Sequence, residues 1–205
     1  MLDLKNSRLK SPIRKPDLMK QEVAIYIGNL YASREPTVVS TLLGSCVAVC
    51  LYDPVERIGG MNHIMLPGRA DMKHFDFAAR YGINAMELLI NRIMALGGNR
   101  KRFVAKAFGG AHVLPDISPE NGVGRKNIEF VVDFLQIESI GLLSHDLGGY
   151  AARKVYFHTD TGEVLLKRIP CTSYPGVVSE ERKLFEQLKS KSDKPGNVTL
   201  FSKDK

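Results

Sequence analysis

A chain of 205 residues, 44% of them hydrophobic and 25% charged, has the make-up of one globular domain with tails. No apolar run reaches the ~18–20 residues of a membrane span or the form of a signal peptide. Three cysteines are too few, and odd in number, for a disulfide framework, so a reducing cytoplasm is expected. The net charge of +7 would suit a nucleic-acid binder only if it lay on the folded part. Residues 1–20 hold six basic and two acidic residues, and residues 178–205 hold seven and five, which leaves only +1 between them. The basicity therefore belongs to the tails, where solvation or weak attraction to acidic lipid or protein accounts for it, and nucleic acid is not an expected partner.

In chain order, residues 1–20 read as a flexible basic lead-in with Pro12 and Pro16 among the charges. "EVAIYIGNLYAS" alternates apolar positions and predicts a strand, followed by strands at "TVVST", "CVAVCLYD" and "GGMNHIML". Between the last two, "DPVERIGG" carries the punctuation of a turn. Tyr81, Ala85, Leu88, Leu89, Ile93 and Leu96 recur at helical spacing and predict a helix over Phe77 to Leu96, stopped by Gly97-Gly98. "RFVAKAFGG" returns to strand character, and "RKNIEFVVDFLQIES" predicts a second helix. Strands follow at "SIGLLSHD", "KVYFHT" and "EVLLKRI". A domain over 21–177 is expected, followed over 178–205 by a short charged helix from Ser179 and a disordered end. The fold class expected is α+β, sheet-rich, with two packed helices.

Chemistry is most readily sought at "TLLGSCVAVC". A nucleophilic cysteine must reach its thiolate, which takes an imidazole or a helix N-terminus, and needs backbone donors for a developing oxyanion. Cys46 follows Gly44-Ser45, a flexible step able to expose the thiol and to aim N–H groups at an oxyanion. His63 lies 17 residues on, across the expected hairpin. Burial as a small apolar residue is the competing reading for Cys46, and the simpler one for Cys50 inside "VAVCLY". Cys171, after Ile169-Pro170, reads as structural. His112, His145 and His158 have no metal-site spacing, "HFD" and "HTD" are commonplace pairs, and no glycine cluster is followed by the Lys-Ser/Thr of a P-loop. No metal or cofactor is implied.

Taken together, "LLGSCVAVCLYDP", "GGMNHIMLP", "KAFGGAHV", "GRKNIEFV" and "DLGGYAARKVYFHTDTGEVLLK" resemble the chemotaxis protein CheD family of chemoreceptor glutamine deamidases, from about Val23 to Arg168. The resemblance implies packed β-sheets with flanking helices, similar to the catalytic domain of cytotoxic necrotizing factor toxins. It also implies a cysteine hydrolase that converts glutamine side chains of methyl-accepting chemotaxis receptors to glutamate through a thioester. The same apparatus is able to cleave a glutamate methyl ester. The family's catalytic cysteine and histidine fall on Cys46 and His63, with backbone N–H groups of Ser45 and Cys46 as oxyanion donors. Its threonine, six residues before the cysteine, falls on Ser40. Thr41 next door is the alternative hydroxyl, and counting from Cys46 favours Ser40. A rival reading is an interaction protein, since some members bind and stimulate the phosphatase CheC.

Overall fold

The computed structural model describes residues 20–66, 69–113 and 122–170, with isolated helical positions at Ser179, Arg182, Lys183 and Glu186. Nine strands and two helices occupy the continuous segments: β1 (Gln21–Ala24), β2 (Leu30–Ser33), β3 (Thr37–Leu43), β4 (Val47–Asp53), β5 (Ile58–Ile64), α1 (Phe77–Ala95), β6 (Val104–Gly109), α2 (Val123–Ile137), β7 (Gly141–Leu147), β8 (Ala151–His158) and β9 (Val164–Pro170). The α+β class is as expected. Two mixed sheets form, one of four strands in the order β1-β3-β8-β9 and one of five in the order β2-β5-β4-β6-β7. The apolar faces of both helices pack on the five-stranded sheet. The four-stranded sheet covers that sheet's other face.

This layering explains the sequence patterns. β4 and β5 are sandwiched on both faces, so nearly every residue is buried and the strands read as unbroken apolar runs. Val47, Val49 and Leu51 enter the core under the helices, whereas Cys46, Ala48 and Cys50 enter the core between the sheets. That split is the two-residue period of a strand. β3 has only one buried face, and its odd-numbered residues Thr37, Val39, Thr41 and Leu43 face inward.

One expectation is corrected. "EVAIYIGNLYAS" is not a single strand: β1 pairs in parallel with β3 in the smaller sheet, while β2 pairs antiparallel with β5 in the larger. Gly28, at φ 81°, turns the chain between them, a conformation that side chains with a Cβ disfavour. α1 starts on Asp76, whose carboxylate accepts from Ala79 N–H at 2.7 Å. It ends where Gly97 and Gly98 N–H groups donate to the Met94 and Ile93 carbonyls, as the Gly-Gly stop predicts. The expected strands after Gly97-Gly98 and the second helix are all present, as β6, α2, β7, β8 and β9. The lead-in up to residue 19, Cys171 and most of the charged segment after Ser179 lie outside the described residues.

Candidate active site

His63 is held from three directions. Antiparallel pairing of β4 with β5 sets it opposite Ala48, and both backbone groups are engaged by the β1–β2 turn. Its N–H donates to Asn29 O at 3.0 Å, and its carbonyl accepts from Gly28 N–H at 2.9 Å. The ring lies between the sheets, 3% exposed, with Nδ1 2.8 Å from Thr41 Oγ1 on β3. Cys46 immediately precedes β4, two residues before Ala48 and on the same face. It is thus the diagonal neighbour of His63 across the hairpin, a relation that brings Cβ atoms to roughly 7 Å or less. The thiol and the imidazole share one face of the larger sheet, and the smaller sheet supplies the hydroxyl.

The hydrogen bonds also decide the tautomer. Thr41 has a single hydroxyl proton, and that proton is donated to the Ile25 carbonyl at 2.8 Å. Toward His63 the oxygen is left to accept, so Nδ1 carries the imidazole proton and Nε2 presents its lone pair. Among the described residues, His63 Nε2 is the buried side-chain atom with no hydrogen-bond partner. Burial pulls the His63 pKa down to about 3, so the ring is neutral at physiological pH. A buried, neutral, tautomer-fixed imidazole with an unused lone pair is built to take a proton.

The hydroxyl on the imidazole is therefore Thr41 rather than Ser40. The Ser40 side chain sits on the alternate face of β3, and its backbone carbonyl accepts from Ile25 N–H at 2.9 Å within the sheet. Neighbouring strand residues point to opposite faces, so register along β3, not distance from Cys46, selects the partner. The expected exposure of Cys46 is also corrected. The residue is 0% exposed, within an inter-sheet cluster that includes Phe108, Val123 and Met65, with Ile27 and Tyr81 packed against it. Burial raises the Tyr81 phenol pKa, and the nearby Cys46 adds to the rise.

The turn that carries Cys46 is fastened at three successive carbonyls. Gly44 O accepts from Ala111 N–H at 2.8 Å and Cys46 O from Gly110 N–H at 2.7 Å, and between them Ser45 O accepts from Asn127 Nδ2 at 2.9 Å. Gly109, at φ 111°, passes so close to the Cys46 carbonyl that a Cβ there would collide with it. Asn127 on α2 is fully buried, and its Oδ1 accepts from Leu66 N–H at 2.9 Å. One side chain thus ties the turn before Cys46 to the chain leaving β5 just after His63.

Comparison with known proteins places this architecture. Residues 65–168 match the family model described as CheD chemotactic sensory transduction. The chain is 42% identical over 184 residues to the probable chemoreceptor glutamine deamidase CheD 1 of Shewanella oneidensis, covering 89% of this chain and 88% of that one. It is 47% identical over 169 residues to the probable chemoreceptor glutamine deamidase CheD of Stenotrophomonas maltophilia strain K279a, covering 82% of each. The chain belongs to the CheD family.

The remaining chemical candidates of this CheD chain lie elsewhere. Cys50 faces the same inter-sheet core, opposite Met61 and Lys106. Burial pushes its thiol far above the ordinary range, and the nearby Lys106 only partly offsets this, so it stays protonated. His74 pairs with Asp71 at 2.7 Å rather than with Asp76. His158 lies beside Lys20, whose ammonium also binds Asp160 at 2.7 Å. His112 stacks edge-on against Tyr150. No group of His, Cys, Asp and Glu able to hold a metal ion occurs among the described residues. No helix among them is long and apolar enough to cross a membrane.

Proposed function

We propose that this chain deamidates glutamine side chains of chemotaxis receptors, with Cys46 as nucleophile, His63 as general base and acid, and Thr41 as the group that orients His63. The observation that carries the reading is the unused, tautomer-fixed Nε2 of His63 on the face that also bears Cys46. The names of the CheD relatives supply the substrate class.

The chemistry follows from these groups. His63 Nε2 takes the thiol proton as Cys46 sulfur bonds to the carboxamide carbon, whose oxygen becomes an oxyanion facing backbone N–H groups of Ser45 and Cys46. Collapse breaks the C–N bond while Nε2–H protonates the departing nitrogen, and ammonia leaves. Water, giving a proton to Nε2, then attacks the thioester carbon. The second collapse expels the thiolate, which regains its proton, and frees glutamate. Because burial disfavours an imidazolium in the resting site, proton transfer accompanies attack instead of preceding it. The thiol's burial means that a docking receptor segment must displace part of its apolar cover, so the nucleophile is uncovered by its substrate.

Incubation with the cytoplasmic fragment of a methyl-accepting receptor tests this. Ammonia release and a +1 Da shift on defined glutamines are expected, both lost in Cys46→Ala. A folded wild-type protein that shifts no glutamine on receptors of its own cell overturns the proposal.

A further inference from the structure

The fastening of the Cys46 turn has a consequence for the oxyanion. A peptide unit is planar and trans, so fixing its carbonyl fixes the opposite direction of its N–H. The carbonyl of the Ser45–Cys46 peptide is gripped by Asn127 Nδ2 from α2. Both helices pack mainly on the outer face of the larger sheet, although Val123 at the start of α2 and Tyr81 of α1 also reach the inter-sheet core, whereas Cys46, His63 and Thr41 share its inner side. The Cys46 N–H is therefore directed opposite to the Asn127 amide that holds the Ser45 carbonyl. Of the three groups that hold successive carbonyls of this turn, two are backbone N–H groups. Of these three bonds among the described residues, that of Asn127 comes from a side chain and is set directly by residue type.

We propose that Asn127 is a positioning residue that aims the Cys46 peptide N–H at the tetrahedral oxyanion. This deepens the deamidase reading and rests on it for the identity of the nucleophile. The Asn127 amide is spent on both sides, accepting from Leu66 N–H and donating to Ser45 O. That leaves its carboxamide in one orientation and couples the donor's direction to the β5 exit next to His63. An apolar residue of similar size would fill the same space under α2 but hold neither group. Serine is able to reach only one of the two.

Two reagents at the same thiol separate this role from mere structural support. Iodoacetamide alkylates Cys46 by displacement of iodide, a step that forms no oxyanion. p-Nitrophenyl acetate acylates it through a tetrahedral oxyanion. The ratio of acylation to alkylation rate at Cys46, read by mass spectrometry on full-length protein, cancels the local opening that both reagents require. Since misplacing or losing one oxyanion donor costs on the order of 10- to 1,000-fold, Asn127→Ala is expected to lower the ratio about tenfold or more. Should Asn127→Ala not fold, Asn127→Ser carries the same comparison, and the far-ultraviolet circular dichroism of each variant establishes that folded protein is read. A ratio equal to that of wild type, whether both rates fall or neither does, overturns the proposal. Failure of wild type to deamidate receptors would instead defeat the functional reading and leave this ratio to be judged by itself.

Discussion

Replacing Thr41 by valine keeps the shape of the side chain and removes only its hydroxyl. Two hydrogen bonds of 2.8 Å disappear, one to the Ile25 carbonyl and one from His63 Nδ1. In the resting protein each bond joins neutral groups, and leaving the buried partner unsatisfied costs about 1–3 kcal/mol of stability. In the proposed mechanism His63 becomes an imidazolium during turnover, and a hydrogen bond to a charged group contributes about 1.5–3 kcal/mol. If that contribution is lost at the transition state, kcat falls by roughly 10- to 150-fold, at about 1.4 kcal/mol per factor of ten. Thr41→Ser restores the oxygen and is expected to recover most of the rate. Ser40→Ala, on the other face of β3, is expected to stay within about twofold of wild type. Initial rates of ammonia release from a receptor fragment, with the fold checked by thermal melts, give the comparison. A greater loss in Ser40→Ala than in Thr41→Val, both folded, would refute the assignment.

Three further outcomes are expected. Cys46→Ala abolishes ammonia release, whereas Cys50→Ala keeps it and loses about 1 kcal/mol in urea denaturation, as expected for a small buried side chain; loss of turnover in folded Cys50→Ala would contradict this. The folded His63 pKa, about 3, lies below the ordinary 6.5, so the unfolded chain binds the extra proton first as pH falls. This histidine's contribution to stability is intact above pH 6.5 and declines toward pH 3 at up to about 1.4 kcal/mol per pH unit; a stability–pH curve for His63→Asn that matches wild type across that window would disprove it. Asp53 is fully buried. Burial works to raise its pKa, but Arg102 and the N–H groups of Asn99, Glu56 and Val55 outweigh it and hold the carboxyl below its usual range. Asp53→Ala therefore costs roughly 3 kcal/mol while the protein that remains folded turns over normally, and unchanged urea stability would count against that account.

The strands and helices were legible because their patterns are strong. α1 shows helical spacing between an Asp cap and a Gly-Gly stop, and β4 is an apolar run bounded by turn residues. The face of β3 was not legible. Val38 and Leu42 on its outer side are as apolar as Val39 and Leu43 on its inner side, so alternation alone could not choose between Ser40 and Thr41. The break in "EVAIYIGNLYAS" was obscured by apolar residues on both flanks of Gly28, which pack against the same inter-sheet core from different sheets. Burial of Cys46 was hidden because Gly44-Ser45 suggests freedom, whereas distant carbonyl partners remove it: Ala111, Asn127 and Gly110 hold the turn from 64 or more residues away. Asn127 carried a weak signal, an amide amid the apolar helix "NIEFVVDFL", where a buried polar side chain calls for partners.

β1 is a four-residue edge strand with three exposed positions, and the carbonyl of the residue after it, Ile25, accepts the hydrogen bond of the Thr41 hydroxyl. The outermost and shortest strand of the smaller sheet thus governs which nitrogen of an imidazole in the interior holds hydrogen. Edge segments of this kind open with much less free energy than the whole domain. When β1 frays, the Thr41 hydroxyl is released to donate toward Nδ1, which favours the opposite tautomer and removes the unused lone pair of Nε2. Warming should therefore silence the enzyme while its two cores are still folded, which makes activity a more sensitive thermometer than circular dichroism.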